Sequence, residues 1–87
     1  MSEPVYSVSI RKSAQREIKS LDHTVRERII KALRSLRDPR PPGCLKLAGS
    51  SNLWRVRVGD WRVLYEISDD DREVVVVGVR RRSKAYD

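Results

Sequence analysis

A single cysteine, Cys44, excludes an internal disulfide. That cysteine and the single histidine, His23, are too few ligands for a zinc site. No apolar run reaches the roughly 18 residues of a membrane-spanning helix, and no basic amphipathic helix with a bulky aromatic face stands out. Residues 1–10 mix polar and apolar side chains with no hydrophobic leader core. A reducing cytoplasm is therefore the expected compartment. Phenylalanine is absent, so Leu, Ile, Val and two Trp must fill the interior. Acidic residues are outnumbered: 19 Lys and Arg face 12 Asp and Glu, a net charge of +7. Three of the acids, Asp69-Asp70-Asp71, are consecutive, and the expectation for them is a solvated hairpin tip rather than a cation site.

What is present fits one domain spanning residues 1–87, long enough for one small core. A charge of +7 on so short a chain favours nucleic acid or an acidic protein as partner over a membrane surface. The densest signal is the stretch from Leu53 to Ile67. Two runs of alternating residues, rich in Val and aromatics, flank Gly59-Asp60. Glycine followed by aspartate between such runs predicts a two-residue hairpin turn, because glycine supplies the positive φ.

A two-residue loop fixes the register. Val58 then lies opposite Trp61, Arg57 opposite Arg62, Val56 opposite Val63, Arg55 opposite Leu64 and Trp54 opposite Tyr65. Side chains alternate between faces. One face carries Trp54, Val56, Val58, Trp61, Val63 and Tyr65. The other carries Arg55, Arg57 and Arg62, with Leu64 and Glu66. Facing arginines repel by a few tenths of a kcal/mol up to about 1. An anion between them would remove that cost; a solvated hairpin face is the plainer reading.

Around the hairpin, Val5 to Ile10 alternates as a first strand with Pro4 at its start. Ser13 to Leu21 reads as a short helix, with Ser13 as N-cap and Ala14, Ile18 and Leu21 on one face. Asp22 reads as the N-cap of a longer helix with a Val25, Ile29, Leu33, Leu36 stripe, ended by Asp38-Pro39. Leu45 and Leu47 point the same way in a short extended piece expected to cover a core edge. Glu73 to Val79 is an unbroken β-branched run, predicting a strand with neighbours on both edges. The hairpin is one neighbour and Val5–Ile10 the other. The fold class is α+β, in the order β-α-α-β-β-β: one small, mostly antiparallel sheet with an N-terminal helix pair packed on one face. The helices take the Trp54/Val63 face, which leaves the arginine face open.

The last strand runs into Arg80-Arg81-Arg82-Ser83-Lys84-Ala85-Tyr86. Its C-terminal end is expected near Trp61 and Arg62, so Arg80 joins Arg62 and Arg57. A frayed basic tail is the alternative. Arginine grips phosphate with paired N–H donors, and several guanidinium groups around one phosphorus stabilise the charge of its transition state. RNA supplies its own nucleophile, the 2′-hydroxyl. No histidine or carboxylate dyad is expected in this cluster. Arginine is a poor proton carrier, so Tyr86, with an ordinary phenol pKa of about 10, is the best available base.

The run Leu53-Trp54-Arg55-Val56-Arg57-Val58-Gly59-Asp60-Trp61-Arg62-Val63-Leu64-Tyr65-Glu66-Ile67, the β-branched strand and arginine segment after it, Tyr86, the helix pair and Lys46-Leu47-Ala48-Gly49 together resemble the RelE toxins of bacterial type II toxin–antitoxin systems. These lie within the RelE/ParE superfamily, and the resemblance covers nearly the whole chain. It implies a RelE-like α+β toxin that cuts mRNA in the ribosomal A site through the 2′-hydroxyl, with no metal or other cofactor, and that a cognate acidic, RelB-like antitoxin holds inactive. By position, Arg62 matches an arginine that braces the scissile phosphate. Arg80 matches one proposed to protonate the leaving 5′-oxygen, and Tyr86 a tyrosine that stacks on or orients the substrate. Arg55 and Arg57 stand where the best-known relative has lysines; if either lysine is the base there, the departure implies a base role shifted toward Tyr86 or a lower activity. The catalytic candidates are Arg57, Arg62, Arg80 and Tyr86; the substrate-binding candidates are Arg55, Arg81, Arg82 and Lys84. Relatives on the ParE branch share the fold and inhibit DNA gyrase, the alternative function, beside a non-catalytic nucleic-acid-binding domain.

Overall fold

The computed structural model describes residues 5–47, 49 and 52–81. Strand β1 (Ser7–Ile10) leads into helices α1 (Lys12–Lys19) and α2 (His23–Ser35). Strands β2 (Leu45–Lys46), β3 (Leu53–Val58), β4 (Trp61–Ser68) and β5 (Glu73–Arg81) follow. They form one sheet in the order β1-β5-β4-β3-β2. β1 runs parallel to β5 and every other pair is antiparallel. The expected α+β plan holds, with one strand added. β2 pairs Leu45 with Arg55 and Lys46 with Trp54 at the sheet edge. Leu45 is therefore half exposed instead of covering core.

The hairpin register is as the alternation dictates, residue for residue from Trp54–Tyr65 to Val58–Trp61. Gly59 takes the positive φ of the turn, +61°. β5 lies inside the sheet between β1 and β4, as its unbroken valine run requires.

The helix pair packs on one face of the sheet. Ala14, Ile18, Ile29, Leu33 and Leu36 meet Val63, Tyr65, Ile67, Val74, Val76 and Val79 in a single buried cluster. Asp22 occupies the N-cap position of α2 but makes no side-chain cap bond. The cap of α1 is Arg11, not Ser13. The reason lies in how β1 ends. The Arg11 N–H still donates to the Val76 carbonyl of β5, so the chain turns directly from strand into helix. Gln15 closes that junction, its side-chain amide donating to the Ile10 carbonyl at 2.8 Å. α2 runs out through tightening turns in which Leu36, Arg37 and Asp38 donate to carbonyls three residues back.

One irregularity decides what faces what. Leu64 pairs with Gly78, but Tyr65 pairs with Val76, so Val77 is an extra residue in β5. Strict alternation from Val74 and Val76 would put residue 80 under the helices. The bulge shifts the phase by one residue. Val79 then enters the core and Arg80 emerges on the open face opposite Arg62.

The Asp69-Asp70-Asp71 tip is more than a solvated turn. Asp69 accepts a hydrogen bond from the Tyr6 hydroxyl at 2.6 Å and two from the Arg40 guanidinium, at 3.2 and 3.0 Å. The same guanidinium lies 5.0 Å from the centre of the Trp54 ring. This clamp ties the loop after α2 to the β4–β5 turn and to β1. Arg40 first, then Tyr6, hold the Asp69 carboxyl below its ordinary range. A carboxyl lowered in this way stabilises the fold above the unfolded-state pKa, and the contribution is lost as pH falls through the folded value. Asp69→Asn is therefore expected to lower Tm near neutral pH. The difference from wild type should close toward about pH 3, below the ordinary Asp value of about 3.9. Paired melts at the two pH values test this; a gap that stays constant would remove Asp69 from the clamp.

Candidate nucleic-acid interface

The hairpin register and the β5 bulge act together on the open face. Arg57 lies opposite Arg62, and Arg62 lies opposite Arg80. Three arginines therefore form one row across β3, β4 and β5, with strands spaced about 4.8 Å apart. Arg55 follows two residues along β3 on the same face, and its Nη1 donates to the Gly43 carbonyl at 3.3 Å. The face is less open than alternation alone suggests. Arg57 and Arg80 are exposed, whereas Arg55 and Arg62 are half-buried, and the Nε of Arg62 is shut off from solvent. Near the far end of this face, Arg11 reaches Glu66 at 3.4 Å.

Arg80 has a carboxylate partner that sequence reasoning missed. Glu17, on α1, takes the Arg80 Nη1 on its Oε2 at 2.6 Å. Its Oε1 accepts the Val79 backbone N–H at 2.9 Å. The expectation of no histidine and no carboxylate dyad in the cluster stands beside this single carboxylate, which a reading of the strands alone could not place. β1 ends its pairing with β5 at Val76, so the edge of β5 beyond that point is left for α1 to reach. A usable signal was present: Glu17 stands three residues after Ala14 and beside Ile18, on the margin of the buried stripe.

Arg81 is placed differently from its neighbour. It pairs with Trp61, and its guanidinium carbon lies 5.7 Å from that ring, on the helix side of the sheet. The remaining candidates, Arg82, Lys84 and Tyr86, lie outside the described residues. Among the described residues no group of three or more His, Cys, Asp or Glu is arranged to hold a metal ion. No helix among them is long and apolar enough to cross a membrane.

Like charges directly opposite on paired strands repel by up to about 1 kcal/mol before any counter-charge is counted, and Glu17 already supplies one to Arg80. A polyanion along the row would reverse the sign of that term and take paired donors from each guanidinium. The comparisons with known proteins identify the family. Residues 8–86 match the family described as the ParE toxin of the type II toxin–antitoxin system parDE. The chain belongs to this toxin family, within the RelE/ParE superfamily. The toxin is 29% identical over 85 residues to the RelE1 protein of Methanocaldococcus jannaschii, covering 93% of this chain and 94% of that one. Its fold superposes on RelE in the RelE–RelB complex from Pyrococcus horikoshii with a TM-score of 0.81 at 27% identity, over 92% and 98% of the two chains. Against the isolated Escherichia coli RelE toxin the TM-score is 0.75 at 28% identity, over 93% and 90%. The toxin fold expected from the sequence is thus the fold observed.

Proposed function

We propose that this toxin is an endoribonuclease that cleaves mRNA in the ribosomal A site. The observation that carries the reading is the Arg57–Arg62–Arg80 row on one open face. In the proposed reaction the 2′-oxygen of the scissile nucleotide attacks the neighbouring phosphorus and the bond from phosphorus to the 5′-oxygen breaks. The products are a 2′,3′-cyclic phosphate and a 5′-hydroxyl end. Arg62, at the centre of the row, braces the phosphate; Arg57 offsets the charge that builds on its oxygens. Arg80 donates a hydrogen bond to the leaving 5′-oxygen and offsets its charge, and that oxygen takes its proton from solvent water. Tyr86 takes the proton of the 2′-hydroxyl as general base. Arg55, Arg81, Arg82 and Lys84 hold flanking phosphates of message and ribosomal RNA. The nucleophile comes with the substrate, so the reading calls for no cofactor.

The Pyrococcus horikoshii relative is seen with RelB. By the same logic this toxin is stored with an acidic RelB-like antitoxin, and its place of action is the cytoplasm. A second reading, a toxin that inhibits DNA gyrase, is favoured by one observation: the family model matched is that of ParE. Two parallel assays separate them. The protein is added to ribosomes translating a defined message, read by primer extension, and to gyrase supercoiling a relaxed plasmid. Cuts within A-site codons with normal supercoiling are expected. Blocked supercoiling with an intact message would transfer the proposal to gyrase.

A further inference from the structure

We propose that Glu17 is an internal stand-in for the substrate phosphate, holding Arg80 in a retracted position until an RNA phosphate displaces it. The inference rests on the arginine row being a phosphate site.

Three observations carry it. First, the carboxylate offers Arg80 what a phosphodiester offers, a pair of anionic oxygens of which one accepts the guanidinium. Glu17 is itself anchored, because its other oxygen takes the Val79 N–H. That N–H has no strand neighbour beyond the end of β1, so α1 delivers the acid to one place. Second, the retracted position depends on an absent side chain. A Cβ at Gly78 would lie 2.8 Å from Nη1 of Arg80 and 3.3 Å from its Cζ. Gly78 does not have a positive φ, so left-handed backbone does not explain the glycine there. The missing methyl is the room in which the guanidinium lies. Third, the pair is exchangeable. Both side chains are more than a third exposed, 49% and 37%. Ion pairs of that exposure are weak and yield to competing anions. Glu17 acts through Arg80 and is a positioning residue.

The geometry supplies two independent ways to release Arg80. Glu17→Gln removes the charge and keeps an oxygen for the Val79 N–H. Gly78→Ala changes no charge and displaces only the flexible end of Arg80. Binding is measured by fluorescence anisotropy with a short 2′-O-methyl RNA, which lacks the nucleophile. Wild type, both single variants and the double variant are compared. Glu27→Gln serves as a charge control, since Glu27 is exposed on α2 and contacts His23.

Each single variant is expected to bind about three- to fivefold tighter, the range that an exchangeable ion pair controls. The double variant is expected to bind no tighter than Glu17→Gln, because both changes release the same group. Glu27→Gln is expected to stay within about twofold of wild type. A purely structural role for Glu17 would weaken binding and lower Tm instead. Unchanged or weaker binding in Gly78→Ala overturns the proposal. So does a gain in Glu17→Gln no larger than that of Glu27→Gln, or no binding by any variant. Cleavage of an all-ribose message on ribosomes is scored separately. Tighter binding without cuts would keep the displacement and remove the nuclease reading; cuts with unchanged binding would do the reverse.

Discussion

Arg62→Ala is expected to slow message cleavage by about a hundred- to a thousandfold, the usual loss when one donor to a developing negative charge is removed. Tm should fall little. Arg62 is the only member of the row with an arginine opposite it on both sides, Arg57 on β3 and Arg80 on β5. Its Nε is also shielded from water, and the residue as a whole is half-buried in the sheet. Arg62→Lys separates charge from geometry. Lysine keeps the charge and loses the paired N–H fork, so an intermediate rate is expected, closer to alanine than to wild type. Single-turnover cleavage on programmed ribosomes gives both rates. Wild-type cleavage by Arg62→Ala would move the site off this face.

The largest expected effect on stability is at Tyr65. Its side chain is fully buried beneath the helices, and its hydroxyl donates to the Pro39 carbonyl at 2.9 Å. Burial, then the neighbouring Cys44, push the phenol well above its ordinary value. The group is therefore a neutral donor wherever the protein is folded at ordinary pH. Tyr65→Ala is expected to cost about 3–5 kcal/mol, the range for losing a buried aromatic side chain. Tyr65→Phe keeps the ring and strands the Pro39 carbonyl, which costs about 1–2 kcal/mol. For a chain of this length each kcal/mol lowers Tm by roughly 4–8 °C. Thermal melts of the pair decide whether ring or hydroxyl matters more. A phenylalanine variant as unstable as the alanine one would show that the bond to the loop after α2, rather than the ring, holds this region.

The elements legible in the sequence were those set by local rules. Gly59-Asp60 between alternating runs fixed the hairpin, and with it the pairing of Arg57 with Arg62. The valine run of β5 and the Val25, Ile29, Leu33, Leu36 stripe needed only periodicity. What stayed hidden depends on contacts distant in sequence. β2 is two residues long and exists because β3 offers it an edge. Ser13 has good capping chemistry, yet bonding to β5 continues past β1 to the Arg11 N–H, and Arg11 takes the cap position. Asp69 looks like its two neighbours until Arg40 and Tyr6 reach it from 29 and 63 residues away.

The site divides along the same line. Arg55, Arg57 and Arg62 follow from alternation. Arg80 joins them only through the Val77 bulge, which shows in the sequence as nothing more than a glycine inside a valine run. The same shift in phase sends Arg81 to the Trp61 side. Glu17 pairs with a residue 63 positions away across a helix–sheet contact, and no spacing rule reaches that far.

The central claim is that the arginine row serves an attack by the 2′-hydroxyl of the message. The most direct test uses ribosomes programmed with two messages that differ by one atom. One is all-ribose; the other carries a single 2′-deoxy nucleotide on the 5′ side of the scissile bond. The account predicts rapid cutting of the first, leaving a 2′,3′-cyclic phosphate, and no cutting of the second at that bond. Equal cutting of both messages, or of neither, would contradict it.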